Sequence, residues 1–135
     1  MRYLLDTHIL IWVLKGETSF LSNEVKNLIE DASNDIFYSS VSVWEVAIKY
    51  AIKPESLGVS AENLVKLCVK AKMKELTLAK EHIFELDSLK LAEEAPKHKD
   101  PFDRILIAQA KRENMIFISH DSKFKWYNEK NIMII

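Results

Sequence analysis

Glycine, proline and cysteine are scarce in this 135-residue sequence, which has two, three and one of them respectively. The two glycines, Gly16 and Gly58, are far apart in the sequence, so it contains neither of the loops GxxxxGK[ST] and GxGxxG that cradle nucleotide phosphates. One cysteine excludes an internal disulfide, and the four histidines form no HExxH pair, so a zinc site is not expected. Repeats and linkers are also absent, and we therefore predict a single domain over residues 1–135.

Long apolar runs are missing as well. No stretch approaches the roughly 20 apolar residues of a membrane-spanning helix, and the opening residues do not form a signal peptide. We expect an unprocessed, soluble protein of the cytoplasm with no membrane partner. Cys68 lies at helical spacing from Leu64, Leu67 and Ala71, which predicts a buried thiol suited to a reducing compartment.

Charge is unevenly distributed, although the net charge is only −1. Residues 1–96 carry 11 basic and 15 acidic side chains, whereas residues 97–135 carry eight basic and five acidic ones. The basic excess of the last segment suits either an ordinary solvated surface or contacts with phosphate.

Short apolar runs alternate with segments of helical periodicity. We predict buried strands at residues 3–5, 36–38, 115–118 and 132–134, and a short edge strand at 75–78. Helices are predicted between them, including one over residues 61–72 and one over 81–89, with Ile83 and Phe84 in its apolar pattern. The alternation predicts a three-layer α/β fold, in which helices flank a mainly parallel central sheet.

Two helix starts carry acidic residues. Asp100 is a good N-cap, Pro101 suits the first helical position, and Asp103 lies near the positive end of the dipole of an almost wholly apolar helix. A second start is predicted at Ser42, where Ser42 and Glu45 have capping-box spacing. The inner face of that helix is predicted to consist of Trp44, Ala47, Ile48 and Ala51.

Four acids are expected at one edge of the predicted sheet. Asp6 and Asp121 follow strands, while Glu45 and Asp103 stand at helix starts that face the same edge. Each has a local explanation, as strand end, turn, capping box or dipole partner, but these do not explain a shared edge. At an effective dielectric constant of about 20, each carboxylate pair about 4 Å apart repels by about 4 kcal/mol, so protons or cations must offset the charge. Oxygen ligands favour Mg²⁺ or Mn²⁺, which suit phosphodiester hydrolysis.

Four sequence blocks follow one another along nearly the whole chain: YLLDTH at 3–8, SSVSVWEVAIK at 39–49, HKDPFDRILIAQA at 98–110 and ISHD at 118–121. In this order they resemble the PIN-domain nucleases, and most closely the VapC-type toxins of toxin–antitoxin pairs. The resemblance implies a PIN fold and Mg²⁺-dependent endoribonuclease activity, with Mn²⁺ as an alternative ion. It implies catalytic and metal-binding roles for Asp6, Glu45, Asp103 and Asp121.

The resemblance also bears on the surroundings of the acids. Thr7, Ser119 and Asp100 are expected to support the site, and Lys99, Arg104 and Lys123 are candidate contacts to RNA phosphates. It implies a homodimer and a cognate antitoxin, which could cover exposed apolar residues around Trp12 and Leu10. The segment 91–96 looks longer and more acidic than the usual approach to the third block, and it could alter substrate access. The alternative is a non-catalytic PIN-like module that holds a structural metal and binds a protein partner.

Overall fold

A computed structural model of the protein describes residues 1–90, 100–127 and 129–135. In this part of the chain, five parallel strands form one sheet in the order β3-β2-β1-β4-β5. The strands are β1 (Arg2–Leu5), β2 (Asp35–Ser39), β3 (Lys74–Leu76), β4 (Ile116–Ser119) and β5 (Ile132–Ile134). The helices are α1 (Thr7–Lys15), α2 (Asn23–Glu30), α3 (Ser40–Ile52), α4 (Ala61–Lys70), α5 (Lys80–Phe84) and α6 (Pro101–Arg112). The predicted α/β fold with a mainly parallel sheet is confirmed.

The central strand is buried on both faces. Leu4 and Leu5 are fully buried and belong to different apolar cores, because successive side chains of a strand point to opposite faces. The core containing Leu5 is covered by α1, α2 and α4, and the core containing Leu4 is covered by α6. This burial explains why the strand reads as a continuous apolar run. None of the helices in the described ranges is long and apolar enough to cross a membrane.

Helix α6 begins as its sequence predicts. The Asp100 carboxylate accepts hydrogen bonds from the backbone N–H groups of Phe102 at 2.9 Å and Asp103 at 3.4 Å, and Pro101 occupies the first turn. All five residues from 106 to 110 are buried, so this helix is packed on several sides. The buried Cys68 also agrees with its prediction.

The predicted start and inner face of α3 are wrong. The helix begins at Ser40, and the N-cap is Ser39, whose hydroxyl accepts a hydrogen bond from the Val41 N–H. Ser42 and Glu45 therefore form no capping box. The predicted inner residues Trp44, Ala47, Ile48 and Ala51 are all exposed, and Trp44 retains 58% of its accessible surface. The buried side carries Val41, Ser42, Glu45 and Val46. Glu45 lines a cleft, and the Ser42 hydroxyl lies 2.9 Å from the buried hydroxyl of Thr7.

Three further predictions need correction. The predicted helix over 81–89 is split into α5 and a 3₁₀ turn (Glu85–Ser88); Ile83 and Phe84 are exposed, and the side chain of His82 is buried. Strand β5 is an edge strand with partly exposed residues, so it is not fully buried as predicted. Leu10 is fully buried and Trp12 is half-buried against the core, which removes most of the apolar surface expected on α1. Segment 91–96 and Lys99 lie outside the described residues.

Candidate active site

Four carboxylates from four separate elements line one cleft of about 340 Å³. Asp6 follows β1 and caps α1, Asp121 follows β4, Glu45 lies in α3 and Asp103 lies in the first turn of α6. The carboxyl ends of β1 and β4 are adjacent because these strands pair in parallel, with Leu5 opposite Ile118. The structure thus brings the four predicted acids to one edge of the sheet.

Asp6 is the most enclosed of the four acids. One of its oxygens accepts a hydrogen bond from the Ser119 hydroxyl at 2.7 Å, and the other accepts the Thr7 backbone N–H at 2.8 Å. Burial raises the pKa of Asp6 although both hydrogen bonds oppose the shift. Ser119 also accepts the Asp121 N–H at 3.1 Å, so one buried hydroxyl connects two of the acids.

Glu45 is held by both of its oxygens. The Thr7 hydroxyl donates to Oε1 at 2.8 Å, and the Lys49 ammonium donates to Oε2 at 2.8 Å. Thr7 has one hydroxyl proton, so Ser42, whose hydroxyl lies 2.9 Å away, must donate to Thr7. Lys49 was not among the predicted site residues, although its spacing of four from Glu45 on a helix was the available signal.

Asp103 experiences the combined charge of the other acids. Burial, followed by the negative charges of Asp6, Asp100, Asp121 and Glu45, raises its pKa from 3.8 to about 8. Asp103 consequently holds a proton at neutral pH when nothing else neutralises the cleft. A site of this kind favours a cation in place of that proton.

The donor chemistry of the cleft fits a hard divalent cation, since all four acids offer oxygen ligands. Within the described residues, no three His, Cys, Asp or Glu side chains already stand in a metal-holding arrangement. Binding would therefore require side-chain adjustment, and the assignment of these acids as metal ligands stays a prediction.

Of three further predicted site residues, Asp100, Arg104 and Lys123, not all line the cleft. Asp100 lines the cleft, whereas Arg104 lines a separate apolar groove with Trp44 and Phe102. Lys123 is exposed, and its backbone N–H donates to the Asp121 carboxylate at 2.9 Å.

Sequence reasoning missed four residues that line the cleft: His8, Trp12, Lys49 and His120. Both histidines lie within two positions of an acid in the sequence, which was the signal for their placement. The sequence predicts Trp12 only as part of a surface for protein partners.

Fold and cleft together define an α/β protein with a parallel five-stranded sheet and an acidic site at its carboxyl edge, in the part of the chain described. The model of the PIN domain family matches residues 3–130. The chain therefore belongs to the PIN domain family, as the resemblance in its sequence implied.

Solved toxin–antitoxin complexes share this fold. VapBC2 from Rickettsia felis, bound to a DNA fragment from the promoter, gives a TM-score of 0.69 at 17% identity and covers 100% of this chain and 98% of its own. A toxin–antitoxin complex from Klebsiella pneumoniae gives a TM-score of 0.59 at 20% identity. The match covers 97% of this chain and 95% of the Klebsiella chain. VapBC-1 from nontypeable Haemophilus influenzae gives a TM-score of 0.60 at 14% identity, and the match covers 93% of this chain and 91% of the Haemophilus chain. No curated protein sequence gives a significant match.

Proposed function

We propose that this protein is a divalent-metal-dependent endoribonuclease and the toxin of a toxin–antitoxin pair. The observation that carries the proposal is the cleft lined by four acids, in which burial and the neighbouring negative charges raise the pKa of Asp103 to about 8. Carboxylate clusters that strongly perturb one another's protonation are typical of functional sites. Membership of the PIN domain family supports the same assignment.

Asp6, Glu45, Asp103 and Asp121 would hold Mg²⁺ or Mn²⁺. Such an ion supplies neutralisation of phosphodiester charge and activation of water for hydrolysis. The protein's own contribution is positioning: Ser119 orients Asp6, and Thr7 with Lys49 orients Glu45. Asp103 gives up its proton when positive charge enters the cleft.

Phosphate contacts are proposed for basic residues beside these acids. Lys123 is exposed next to Asp121, and Lys49 places its ammonium group in the cleft itself. Lys99 precedes the N-cap of α6 in the sequence and is retained as a candidate. Arg104 is not retained, because it lines a different groove and lies beside the Tyr127 hydroxyl.

A cognate antitoxin and a homodimer are proposed as partners. The antitoxin is supported by the structural neighbours, which are VapBC and toxin–antitoxin complexes. For the homodimer, α3 offers Trp44, Ile48 and Ile52, exposed side chains with a spacing of four that share one side of the helix. Sedimentation equilibrium of the parent and of Ile48→Glu tests this contact, with dissociation to monomers expected for the variant.

The activity is tested with purified protein on several RNAs, in millimolar Mg²⁺ and in EDTA. We expect cleavage only with the metal ion, and loss of most cleavage in Asp103→Asn. Glu62→Gln is the matched control, because it also removes an acid from the first turn of a helix, but far from the cleft. Purifying all variants identically controls for contaminating nuclease.

A cellular assay tests the toxin assignment. Induced expression of the parent should arrest growth, whereas Asp103→Asn should not. If the parent binds metal and a partner protein but cuts no RNA, the non-catalytic module is the correct interpretation.

A further inference from the structure

The ammonium group of Lys49 lies in the acidic cleft, beside the four acids. Among the described residues that line this cleft, Lys49 is the one lysine, and no arginine lines it. Its Nζ atom donates to Glu45 Oε2 at 2.8 Å, and the Thr7 hydroxyl donates to Oε1 of the same carboxylate at 2.8 Å. Glu45 therefore has a hydrogen-bond donor on each of its oxygens, and one of these donors is a cation.

The two partners of this ion pair differ in their freedom to move. The Glu45 side chain retains 10% of its accessible surface and is held by Thr7, whose hydroxyl also lies 2.9 Å from that of Ser42. The Lys49 side chain retains 40%, and a lysine ammonium is carried on a flexible four-carbon stem. Lys49 can therefore leave the ion pair while Glu45 stays in place.

A second ion pair with the same helical spacing shows what is particular to the first. Lys66 and Glu62 lie four residues apart on α4, but their charged atoms are 3.6 Å apart and their side chains retain 70% and 84% of their accessible surface. Neither is among the described residues that line the acidic cleft. Helical spacing alone thus gives a loose pair in solvent, whereas the pair of Glu45 and Lys49 is closer and is partly enclosed beside other acids.

A divalent cation and the Lys49 ammonium would compete for the same negative charge. Both are positively charged, so they repel each other inside the cleft while each is attracted to the carboxylates. A divalent ion has twice the charge of an ammonium group and takes several oxygen ligands, whereas the ammonium pairs with Glu45. The divalent ion is the stronger competitor, and the more exposed Lys49 is the partner that gives way.

We propose that Lys49 is the counter-ion of Glu45 in the metal-free cleft and leaves Oε2 when a divalent cation binds. This inference rests on the proposed metal-dependent nuclease function and adds a regulation of its site. The ammonium is engaged by Glu45 until the exchange takes place. The phosphate contact proposed above for Lys49 is therefore available only in the metal-loaded cleft.

Binding of Mn²⁺ alone tests the exchange, with free Mn²⁺ measured from its electron paramagnetic resonance signal. Lys49→Met keeps an apolar stem and removes the charge, so it should tighten Mn²⁺ binding about fivefold, which corresponds to about 1 kcal/mol. Lys49→Arg keeps the charge and should stay within about twofold of the parent. Lys66→Met is the matched control, because it removes a lysine with the same spacing from a glutamate outside the cleft, and it should leave the affinity unchanged.

A double-mutant cycle separates exchange at Glu45 from a general effect of charge. Lys49→Met is measured again in a Glu45→Gln background, in which the ammonium has no carboxylate of Glu45 to leave. If Lys49 competes through Glu45, the gain in Mn²⁺ affinity should fall below about twofold in this background. An equal gain in both backgrounds would overturn the proposal, since Lys49 would then act only through its charge at a distance.

Cleavage at saturating Mn²⁺ adds a readout of opposite sign. Lys49→Met should bind the ion more tightly than the parent and yet cut RNA with a lower kcat/KM, because the substrate phosphate loses a cationic contact. General damage to the fold would weaken both metal binding and cleavage. Circular dichroism melting verifies that each variant is folded, and Lys49→Gln takes the place of Lys49→Met if the latter is unfolded.

Unchanged or weaker Mn²⁺ binding by Lys49→Met would overturn the inference. The proposed nuclease would still stand in that case if Asp103→Asn loses metal binding and cleavage. A parent that binds no Mn²⁺ would refute the metal-dependent function and the inference together. If the parent and Lys49→Met have the expected affinities but neither cuts RNA, the exchange of counter-ions is correct and the nuclease assignment is wrong.

Discussion

Replacing Asp103 by asparagine should stabilise the protein in the absence of metal. The pKa of Asp103 is about 8 in the folded protein, against 3.8 for an unperturbed aspartate, because of burial and the neighbouring acids. A pKa raised by folding means that its stabilising effect is complete below pH 3.8 and is lost as the pH rises towards 8. The parent should therefore lose stability over this range, and Asp103→Asn should lose less.

The size of the effect follows from the pKa difference. At about 1.36 kcal/mol per pKa unit, a shift of roughly four units sets an upper bound of about 6 kcal/mol at pH 8 and above. Asp103 is only half-buried, so solvent screening reduces this value, and we expect a gain of about 1–2 kcal/mol. For a protein of this length, such a gain corresponds to a rise of about 4–8 °C in melting temperature.

The assay is thermal unfolding in EDTA at pH 4.5, 6 and 8. The difference in melting temperature between Asp103→Asn and the parent should increase with pH, whereas the difference between Glu62→Gln and the parent should not. Saturating Mg²⁺ should then stabilise the parent, by about 2.7 kcal/mol at 100 times its Kd, and should stabilise Asp103→Asn much less. If Asp103→Asn melts below the parent at pH 8, or if Mg²⁺ stabilises it as much as the parent, the effect assigned to the charge of Asp103 is wrong.

Three further predictions concern the surroundings of the acids and the core. Ser119→Ala should lower the free energy of unfolding by about 1–3 kcal/mol in urea titrations, because the buried Asp6 carboxylate loses its hydroxyl donor; Ser119→Thr, which retains a hydroxyl, should lose less. Lys49→Met should destabilise the apo protein at pH 8 by about 1 kcal/mol, and less so in 1 M NaCl, since Glu45 loses its cationic partner. Cys68 is buried, with its pKa raised to about 12, so it should react with Ellman's reagent only after unfolding; fast labelling of the native protein would contradict this.

The convergence of the acids could be predicted from the sequence because it depends on topology more than on detail. Parallel strands end at one edge, so the residues that follow β1 and β4, Asp6 and Asp121, had to lie there. The N-cap of α6 was equally local, since Asp100 and Pro101 specify a helix start by their own chemistry. These predictions required only that a segment be recognised as a strand or a helix and that its direction in the sheet be known.

The orientation of α3 could not be obtained in the same way. Its apolar residues Trp44 and Ile48 gave a plausible inner face, but the helix turns Ser42 and Glu45 inward and leaves both apolar residues exposed. Periodicity assigns the apolar face to the core by default. That default fails where a buried polar site competes for the same helix, and the hydroxyl of Thr7 on α1 is the partner that makes burial of Glu45 favourable.

A second buried polar group explains how α3 and α6 keep their places around the cleft. The Gln109 side chain, on α6, accepts a hydrogen bond from the hydroxyl of Ser39, which caps α3. The amide nitrogen of Gln109 lies 3.4 Å from Nδ1 of His82. The same Nδ1 atom accepts a hydrogen bond from the Ala79 N–H at 3.0 Å. Glutamine and histidine are polar, so the sequence favours exposed positions for Gln109 and His82. Both are buried, because each has a polar partner on another element. These polar contacts connect the N-terminus of α3 to α6, the two helices that carry Glu45 and Asp103, and the sequence pattern does not reveal them.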